Sequence, residues 1–373
     1  MRKIAGKLIL YVNILFAAML LFTYAAPFIN PAVLLFPAFL GLAYPYILLI
    51  NLVFLVYWII RFRKELLISL IAIVIGWGHL MNFLPLNISG EQSPGEDSNA
   101  SSISVMSYNV RLFDQYKWSN QENPTAGIFT LINENDPDIL CLQEFYTRNR
   151  AGQRESDISR SLEKYPYYSV YYTVKSGPNS GVGIATFSKY PIVKTSRIPF
   201  NNTVNQAVYT DIDTGEDTVR VFNIHLQSIR FGQRNYSFMD TLSLKYSNRQ
   251  LEEVKDIGKR LKDAFVRRAD QSKIIHNYIL DAPHAVVVAG DFNDTPTSYS
   301  YRRIKKGLND AFREAGQGFG NTYAGDLPSY RIDFILYSDD LVASDFTRIK
   351  SRFSDHFPII SSLCWKPPFT PED

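Results

Sequence analysis

Five short segments bring together residue types suited to phosphate chemistry. They are Ser107-Tyr108-Asn109-Val110-Arg111, Leu142-Gln143-Glu144, Asn223-Ile224-His225-Leu226, Gly290-Asp291-Phe292-Asn293 and Ser354-Asp355-His356. Carboxylates, amides and imidazoles gathered at one place can hold a hard divalent cation and direct water at phosphorus. Glu144 ends the apolar run 138–144, where a carboxylate is costly unless paired or metal-bound. Asn109 follows the apolar run 103–108 and adds an amide oxygen. Carboxylate plus amide gives Mg²⁺ a thin protein shell that leaves room for water and a substrate phosphate. Strand alternation puts Asp291 and Asn293 on one side and Phe292 on the other. An acid beside an amide can hold and deprotonate a water, although an ordinary strand-to-turn cap uses the same residue types.

Asp355-His356 precedes the apolar run 358–363, and Asp333 sits within Tyr330-Arg331-Ile332-Asp333-Phe334. An Asp that fixes a histidine tautomer and raises its basicity is a standard supporting device. His225 ends the run 219–224, a position where a structural, hydrogen-bonded histidine is the commoner occupant. Arg111, two residues beyond Asn109, can reach a phosphate or make an exposed salt bridge.

Rigid elements must position these groups. Apolar, β-rich runs recur at 103–108, 138–142, 167–172, 182–187, 206–212, 218–225, 284–290, 331–337 and 358–363, with helical patterns at 124–135, 155–164 and 248–280. Short strands with interspersed helices predict an α/β fold with helices outside packed sheets. Each chemistry-bearing segment then falls at a strand end, on the rim of a sheet. Cys141 and Cys364 lie inside apolar runs and read as buried thiols, with no disulfide framework implied.

Net charge is +3 over the chain, and residues 101–373 hold 33 Lys and Arg against 32 Asp and Glu. Such a near-neutral domain is not built to grip long nucleic acid by electrostatics alone.

The first 86 residues have another character. Runs 8–28, 38–60 and 66–86 are apolar, and each is long enough as a helix to cross a bilayer. Trp58 and Trp77 suit interfacial anchoring. Arg2, Lys3 and Lys7 precede the first run, and Arg61, Arg63 and Lys64 separate the second from the third. The positive-inside rule puts both clusters in the cytoplasm, so three crossings leave the remainder outside. A cleaved signal peptide ending near Ala25-Ala26 is the competing reading of the first run. Residues 87–102 read as a linker, 103–366 as the catalytic domain and 367–373 as a tail.

The ordered series Asn109-x-Arg111, Gln143-Glu144, Asn223-x-His225-Leu226, Gly290-Asp291-Phe292-Asn293, Arg331-Ile332-Asp333-Phe334 and Ser354-Asp355-His356-Phe357-Pro358 closely resembles the endonuclease/exonuclease/phosphatase superfamily. That group includes pancreatic-type deoxyribonucleases, abasic-site endonucleases, inositol polyphosphate phosphatases and bacterial sphingomyelinases. The resemblance covers about residues 103–365, and the run 181–191 also looks like the family's core strand and turn. It implies a four-layer α/β sandwich of two packed mixed sheets flanked by helices, with the site in a cleft at one rim. By position it implies Mg²⁺ (or Mn²⁺) held by Glu144 and Asn109 with Asp355 near. Asp291, aided by Asn293, would orient or deprotonate water. His356, oriented by Asp333, would contact the phosphate, and His225 would stabilise developing charge.

The expected function is thus a membrane-anchored, metal-dependent phosphoesterase using an activated water on a phosphodiester or phosphomonoester. Tethering favours a lipid headgroup or other envelope phosphoester. A membrane-anchored nuclease is the alternative, and a catalytically degenerate binding module a third. The lipid bilayer is the expected partner, and no protein partner follows. The topology suits a bacterial inner membrane with the catalytic domain in the periplasm. Residues 227–268, rich in Arg and Lys with Phe231, Tyr236, Phe238 and Tyr246, read either as a substrate-contacting lid or as an amphipathic helix with an irregular lead-in.

Overall fold

The computed structural model describes residues 2–87, 101–119, 121–177, 180–201, 203–229, 248–325 and 329–366. From Ser102 onward it contains two mixed sheets. The strands of the first are β1 (Ser102–Asn109), β2 (Ile139–Thr147), β3 (Tyr167–Gly177), β4 (Ser180–Ser188), β11 (Leu341–Ala343), β12 (Thr347–Arg348) and β13 (Ile359–Trp365), in the order β11-β13-β1-β2-β4-β3 with β12 on β13. The second comprises β5 (Ile192–Ile198), β6 (Gln206–Asp213), β7 (Thr218–His225), β8 (Ala285–Asp291), β9 (Asn309–Asp310) and β10 (Asp333–Tyr337), in the order β5-β6-β7-β8-β10-β9. Each sheet has one parallel pair at its centre, β1 with β2 and β7 with β8, among antiparallel neighbours.

Alternation along the strands explains the layers. Ile103 and Val105 of β1, Ile139 and Cys141 of β2, Val219 and Val221 of β7, and Val287 and Ala289 of β8 form one buried cluster between the sheets. Their even-numbered neighbours face outward. Met106, Leu140 and Leu142 pack with Ile128 and Ile132 of α5 (Pro124–Asn135) and Ile158 of α6 (Glu155–Ser161). Phe222, Ile224, Val286 and Val288 pack with Ile275 of α7 (Asn248–Leu280) and Ile304 of α8 (Tyr299–Lys305). The result is helix, sheet, sheet, helix. Each fully buried Val, Leu or Ile contributes about 1.5–3 kcal/mol, so both sheets are strongly committed to this register.

Residues 248–268 belong to the long helix α7, as the amphipathic reading of that stretch expected. Residues 230–247 of the 227–268 stretch, on which the lid reading also falls, lie outside the described residues. Cys141 and Cys364 are free, as expected, although only Cys141 is fully buried.

The N-terminal region forms a helical bundle of α1 (Arg2–Thr23), α2 (Phe36–Ile60) and α3 (Leu66–Ile75), followed by the short α4 (Trp77–Met81). Two helices, Gly6–Phe28 and Phe36–Ile60, are long and apolar enough to cross a membrane, whereas Leu66–Ile75 is a ten-residue piece. The third expected span, 66–86, is therefore not one continuous helix. It breaks at Gly76, where a Cβ would meet the Tyr24 ring at 2.0 Å. Beyond Met81 the chain lies against the two-sheet domain. Arg331 Nη1 donates to Asn82 O at 2.8 Å, and Asn87 Nδ2 donates to Gly316 O at 2.7 Å. The start of the expected linker, including the Asn87 side chain, is thus anchored.

A polar cluster ties the three helices together. Asn13 Nδ2 donates to Ser69 Oγ (2.7 Å), Ser69 Oγ to Asn51 Oδ1 (3.1 Å) and Trp58 Nε1 to Asn13 Oδ1 (2.9 Å). Outside, the bundle exposes a broad apolar surface that includes Leu8, Leu15, Leu49, Val53, Leu67 and Ile71.

Candidate active site

The inward alternation of the core continues to the rim of the sandwich, and there apolar residues give way to polar ones. In β1 the inward positions 103 and 105 lead to Ser107 and Asn109. In β2, 139 and 141 lead to Gln143. In β7, 219 and 221 lead to Asn223 and His225, and in β8, 285, 287 and 289 lead to Asp291. Backbone pairing aligns Asn109 with Gln143, His225 with Asp291 and Asp333 with Asp291. Register brings His225, Asp291 and Asp333 together at the rim of the second sheet, and the packing of the two sheets sets Asn109 of the first against them.

Glu144 breaks the parity, since an even position should face the helix layer. The β2–β4 pairing slips between Leu142 and Phe145, and Glu144 has φ of 49°. This bulge turns its carboxylate back to the rim. Left-handed backbone recurs at Asn293 (φ 51°) and from Arg111 to Asp114 (φ 43–55°). Such conformations are strained for these residues and collect around this site. Gly290 serves a different need. A Cβ there would lie 2.0 Å from Ile224 O, so only glycine lets β8 approach β7 this closely just before Asp291.

Asp291 is the hub. Its Oδ1 accepts from Asn293 N at 2.7 Å, and its Oδ2 accepts from Asn109 Nδ2 at 3.0 Å and Asn293 Nδ2 at 3.1 Å. His225 Nε2 lies 3.7 Å from Asp291 Oδ2 and 3.9 Å from Glu144 Oε1. His356 Nε2 lies 3.8 Å from Asp291 Oδ2, and its Nδ1 lies 2.9 Å from Asp333 Oδ2. The Asp355-His356 loop is fastened to β1 through Ser354 Oγ, which donates to Asn109 O at 2.7 Å.

Burial pushes the Asp291 carboxyl up to about 6, with the Asp333 charge adding to the rise. Glu144 is also raised, first by burial and then by the like charge of Asp355. Burial alone would lower the His356 pKa. The Asp333 and Asp291 carboxylates outweigh it and hold the imidazole well above its ordinary value.

A hard divalent cation fits this donor chemistry. Glu144, Asp291 and Asp355 supply oxygens, and burial together with neighbouring like charge raises the Glu144 and Asp291 carboxyls, a penalty a bound cation would offset. Two details differ from the expected ligand trio of Glu144, Asn109 and Asp355. Asn109 turns its NH₂ toward the carboxylates while its Oδ1 accepts from Arg111 N at 3.0 Å. Asp355 is paired with Arg111, Nε to Oδ2, at 3.2 Å. The tightest acid–imidazole cluster among the described residues is instead Asp291, Asp333 and His356, with one ligand-type atom from each within 4.8 Å of the others. One imidazole nitrogen in that cluster is already engaged by Asp333. We therefore read the trio as a hydrogen-bonded acid–histidine unit.

Arg111 also stacks over Trp118, 4.4 Å from the ring centroid. Both line a cleft of about 650 Å³ with Lys350, Arg352 and Asp355, immediately beside the site.

Three contributors carried no role in the sequence reading. Gln143 Nε2 donates to Asn223 Oδ1 at 2.8 Å, a fully buried clasp between the sheets just below the site. Their presence inside the motif segments was the available clue. Arg268, 1 % exposed, bonds the Asn293 carbonyl and pairs with Asp294 Oδ2 at 3.1 Å. Nothing distinguished it within a basic helix.

The endonuclease/exonuclease/phosphatase family model matches residues 106–356. A second model, described as a domain of unknown function, matches residues 6–83. No curated protein matches the chain. Among solved structures, a protein of the same family from Bacteroides thetaiotaomicron is 18% identical, with 72% of this chain and 100% of that chain covered and a TM-score of 0.54. One from Beutenbergia cavernae is 18% identical over 71% and 72%, at TM-score 0.50. The human Nocturnin catalytic domain, solved with a bound sulfate anion, is 20% identical over 71% and 94%, also at 0.50. At these identities the likeness concerns the fold.

Proposed function

The chain belongs to the endonuclease/exonuclease/phosphatase family, and from that premise we propose that it is a membrane-anchored, divalent-metal-dependent phosphoesterase acting on a phosphoester presented at a bilayer. One contact carries the reading. Thr297 Oγ1 donates to Gly41 O of α2 at 2.7 Å, so the loop that starts at Asn293 rests on the helical bundle. Phe39 against Phe265 and Tyr46 against Tyr330 extend the same junction. The site is thus held close to the apolar helices rather than at the end of a long tether.

In this reading Glu144 and Asp355 would hold Mg²⁺ or Mn²⁺, with Asn109 joining them once its amide oxygen is turned toward the carboxylates. The ion when bound neutralises phosphate charge and polarises the phosphorus–oxygen bond. Asp291 takes a proton from the attacking water, which Asn293 helps to orient. His356, fixed by Asp333, donates to a phosphate oxygen, and His225 lies where it can donate to the developing oxyanion. Arg111 and the adjoining cleft receive the rest of the substrate.

Three observations support anchoring: the exposed apolar surface of the bundle, its two long apolar helices, and the basic residues Arg2, Lys3 and Lys7 at the start of α1 and Arg61, Arg63 and Lys64 after the end of α2. In the outward topology we propose, which needs α3 and α4 together to make the third crossing, a C-terminal tag is reached by an impermeant label and the 61–65 loop is not. Labelling with the reverse pattern excludes this topology.

A nuclease reading draws support from Trp118 beside Arg111, Lys350 and Arg352, because an exposed ring among cations can stack a base. A substrate panel decides. The full chain in lipid discs is offered phospholipids, sphingomyelin, plasmid DNA, RNA and a small phosphodiester, with Mg²⁺ or EDTA. Preferred turnover of a lipid substrate with Mg²⁺ is expected. Preferred cleavage of nucleic acid replaces this reading with the nuclease. Activity that survives EDTA removes the metal.

A further inference from the structure

A second cleft, of about 570 Å³, lies at the junction of the bundle and the catalytic domain and is separate from the site above. One wall is cationic: Arg302 and Lys305 from α8, Lys306 just after it, and Arg313 from α9 (Ala311–Ala315). The other wall comes from the bundle, where Phe28 (61% exposed) and Ile75 (63% exposed) supply apolar surface beside His79 and Asn82. Among the described residues no Asp or Glu lines it. Arg302 lies over the Phe28 ring, 4.1 Å from its centroid, and Arg313 Nη1 reaches Asn82 Oδ1 at 3.3 Å. These contacts fix two cations at the mouth. Burial, with Arg313 nearby, holds Lys305 below the usual lysine range despite the opposing pull of Asp310. Four like charges opposite the exposed Phe28 and Ile75 side chains suit an occupant that is anionic at one end and greasy at the other.

The position fits the same occupant. Val33, Leu34 and Trp77, all exposed, lie at this end of the bundle, where the apolar helices meet the polar domain. In the membrane reading proposed above, on which this inference rests, that level is the headgroup layer of the bilayer. Basic pockets at such a boundary take lipid phosphates, each nearby Lys or Arg strengthening binding about fivefold.

We propose that this cleft is a binding site for one anionic phospholipid, its phosphate on Arg302, Lys305, Lys306 and Arg313 and its acyl chains along Phe28 and Ile75. The lipid is a structural ligand that seats the catalytic domain on the bilayer.

The test uses the detergent-solubilised full chain, titrated with fluorescent phosphatidylglycerol or phosphatidylcholine. Phosphatidylglycerol should bind at least tenfold more tightly. The Arg302→Gln/Lys305→Gln/Lys306→Gln variant should weaken it on the order of a hundredfold, and Lys306→Glu alone, at an exposed position, about tenfold or more. Millimolar inorganic phosphate should not displace the lipid. Equal affinity for the two lipids, or unchanged binding by both variants, overturns the proposal. Displacement by inorganic phosphate reassigns the cleft to a free anion and also overturns it. Failure of the membrane reading looks different, because the chain would then stay in the soluble fraction of a detergent-free lysate. A chain that sediments with membranes yet binds both lipids equally sinks only this site.

Discussion

His356 presents its Nδ1 to Asp333 Oδ2 at 2.9 Å, which leaves Nε2 facing Asp291 Oδ2 at 3.8 Å. The pairing fixes the tautomer and favours the imidazolium, so a buried cation stands beside the carboxylate assigned to water activation.

The consequence is testable in the pH profile. Asp333→Asn removes one of the carboxylates that hold His356 above its ordinary value, so the alkaline limb of kcat should move to lower pH. His356→Ala should lower kcat at least about a hundredfold with little change in folding. An alkaline limb that stays in place in Asp333→Asn contradicts the assigned role.

The carboxylates should destabilise the metal-free protein. Asp291 is raised from 3.8 to about 6. The native state therefore binds this proton more tightly than the unfolded chain does. Its stabilising contribution is complete below the unfolded value and is lost as pH rises through about 6, a difference of about 3 kcal/mol. Thermal melts in EDTA should thus fall between about pH 4 and 7, and Mg²⁺ should restore the loss. Glu144→Gln should raise the melting temperature in EDTA while abolishing turnover. A Glu144→Gln protein that melts lower than the parent in EDTA argues against a site short of positive charge.

Arg268 is the buried counter-ion of Asp294 and a donor to the Asn293 carbonyl. Arg268→Met leaves Asp294 buried without its partner and should cost about 3–5 kcal/mol. A denaturant melt within about 1 kcal/mol of the parent's would show that Asp294 finds other compensation.

The junction should matter more for lipid than for soluble substrates. A Cβ on Gly41 would lie 2.7 Å from Thr297 O and 2.9 Å from Ala26 Cβ. Gly41→Leu therefore forces the bundle away from the loop that follows Asn293. Turnover of the membrane-presented ester should drop at least about tenfold relative to a small soluble phosphodiester. An unchanged ratio makes the contact incidental.

The rim residues were legible because apolar runs ending in acids, amides and imidazoles leave few ways to face a core. What alternation could not supply was Glu144, whose direction depends on a slip between Leu142 and Phe145. β5 escaped notice because it is a half-exposed edge strand containing Lys194 and Arg197, with no buried face to give a period. β9 and β12, at two residues each, are too short to carry a period. Apolarity over 66–86 says nothing about where a helix stops, and Gly76 yields there to the Tyr24 ring. Arg268 was hidden because a buried arginine and an exposed one are the same letter in an amphipathic helix.

The bulge at Glu144 separates folding from activity within a single strand. The sandwich needs β2 only for the apolar phase that ends at Leu142, and an ideal strand would satisfy that need fully. A variant that ironed out the slip would keep both sheets and swing the carboxylate into the helix layer. It would be a well-folded protein with the Glu144 carboxylate on the wrong side of the wall. The core would be served equally well by an ideal strand, so the irregularity answers to the rim and not to the core.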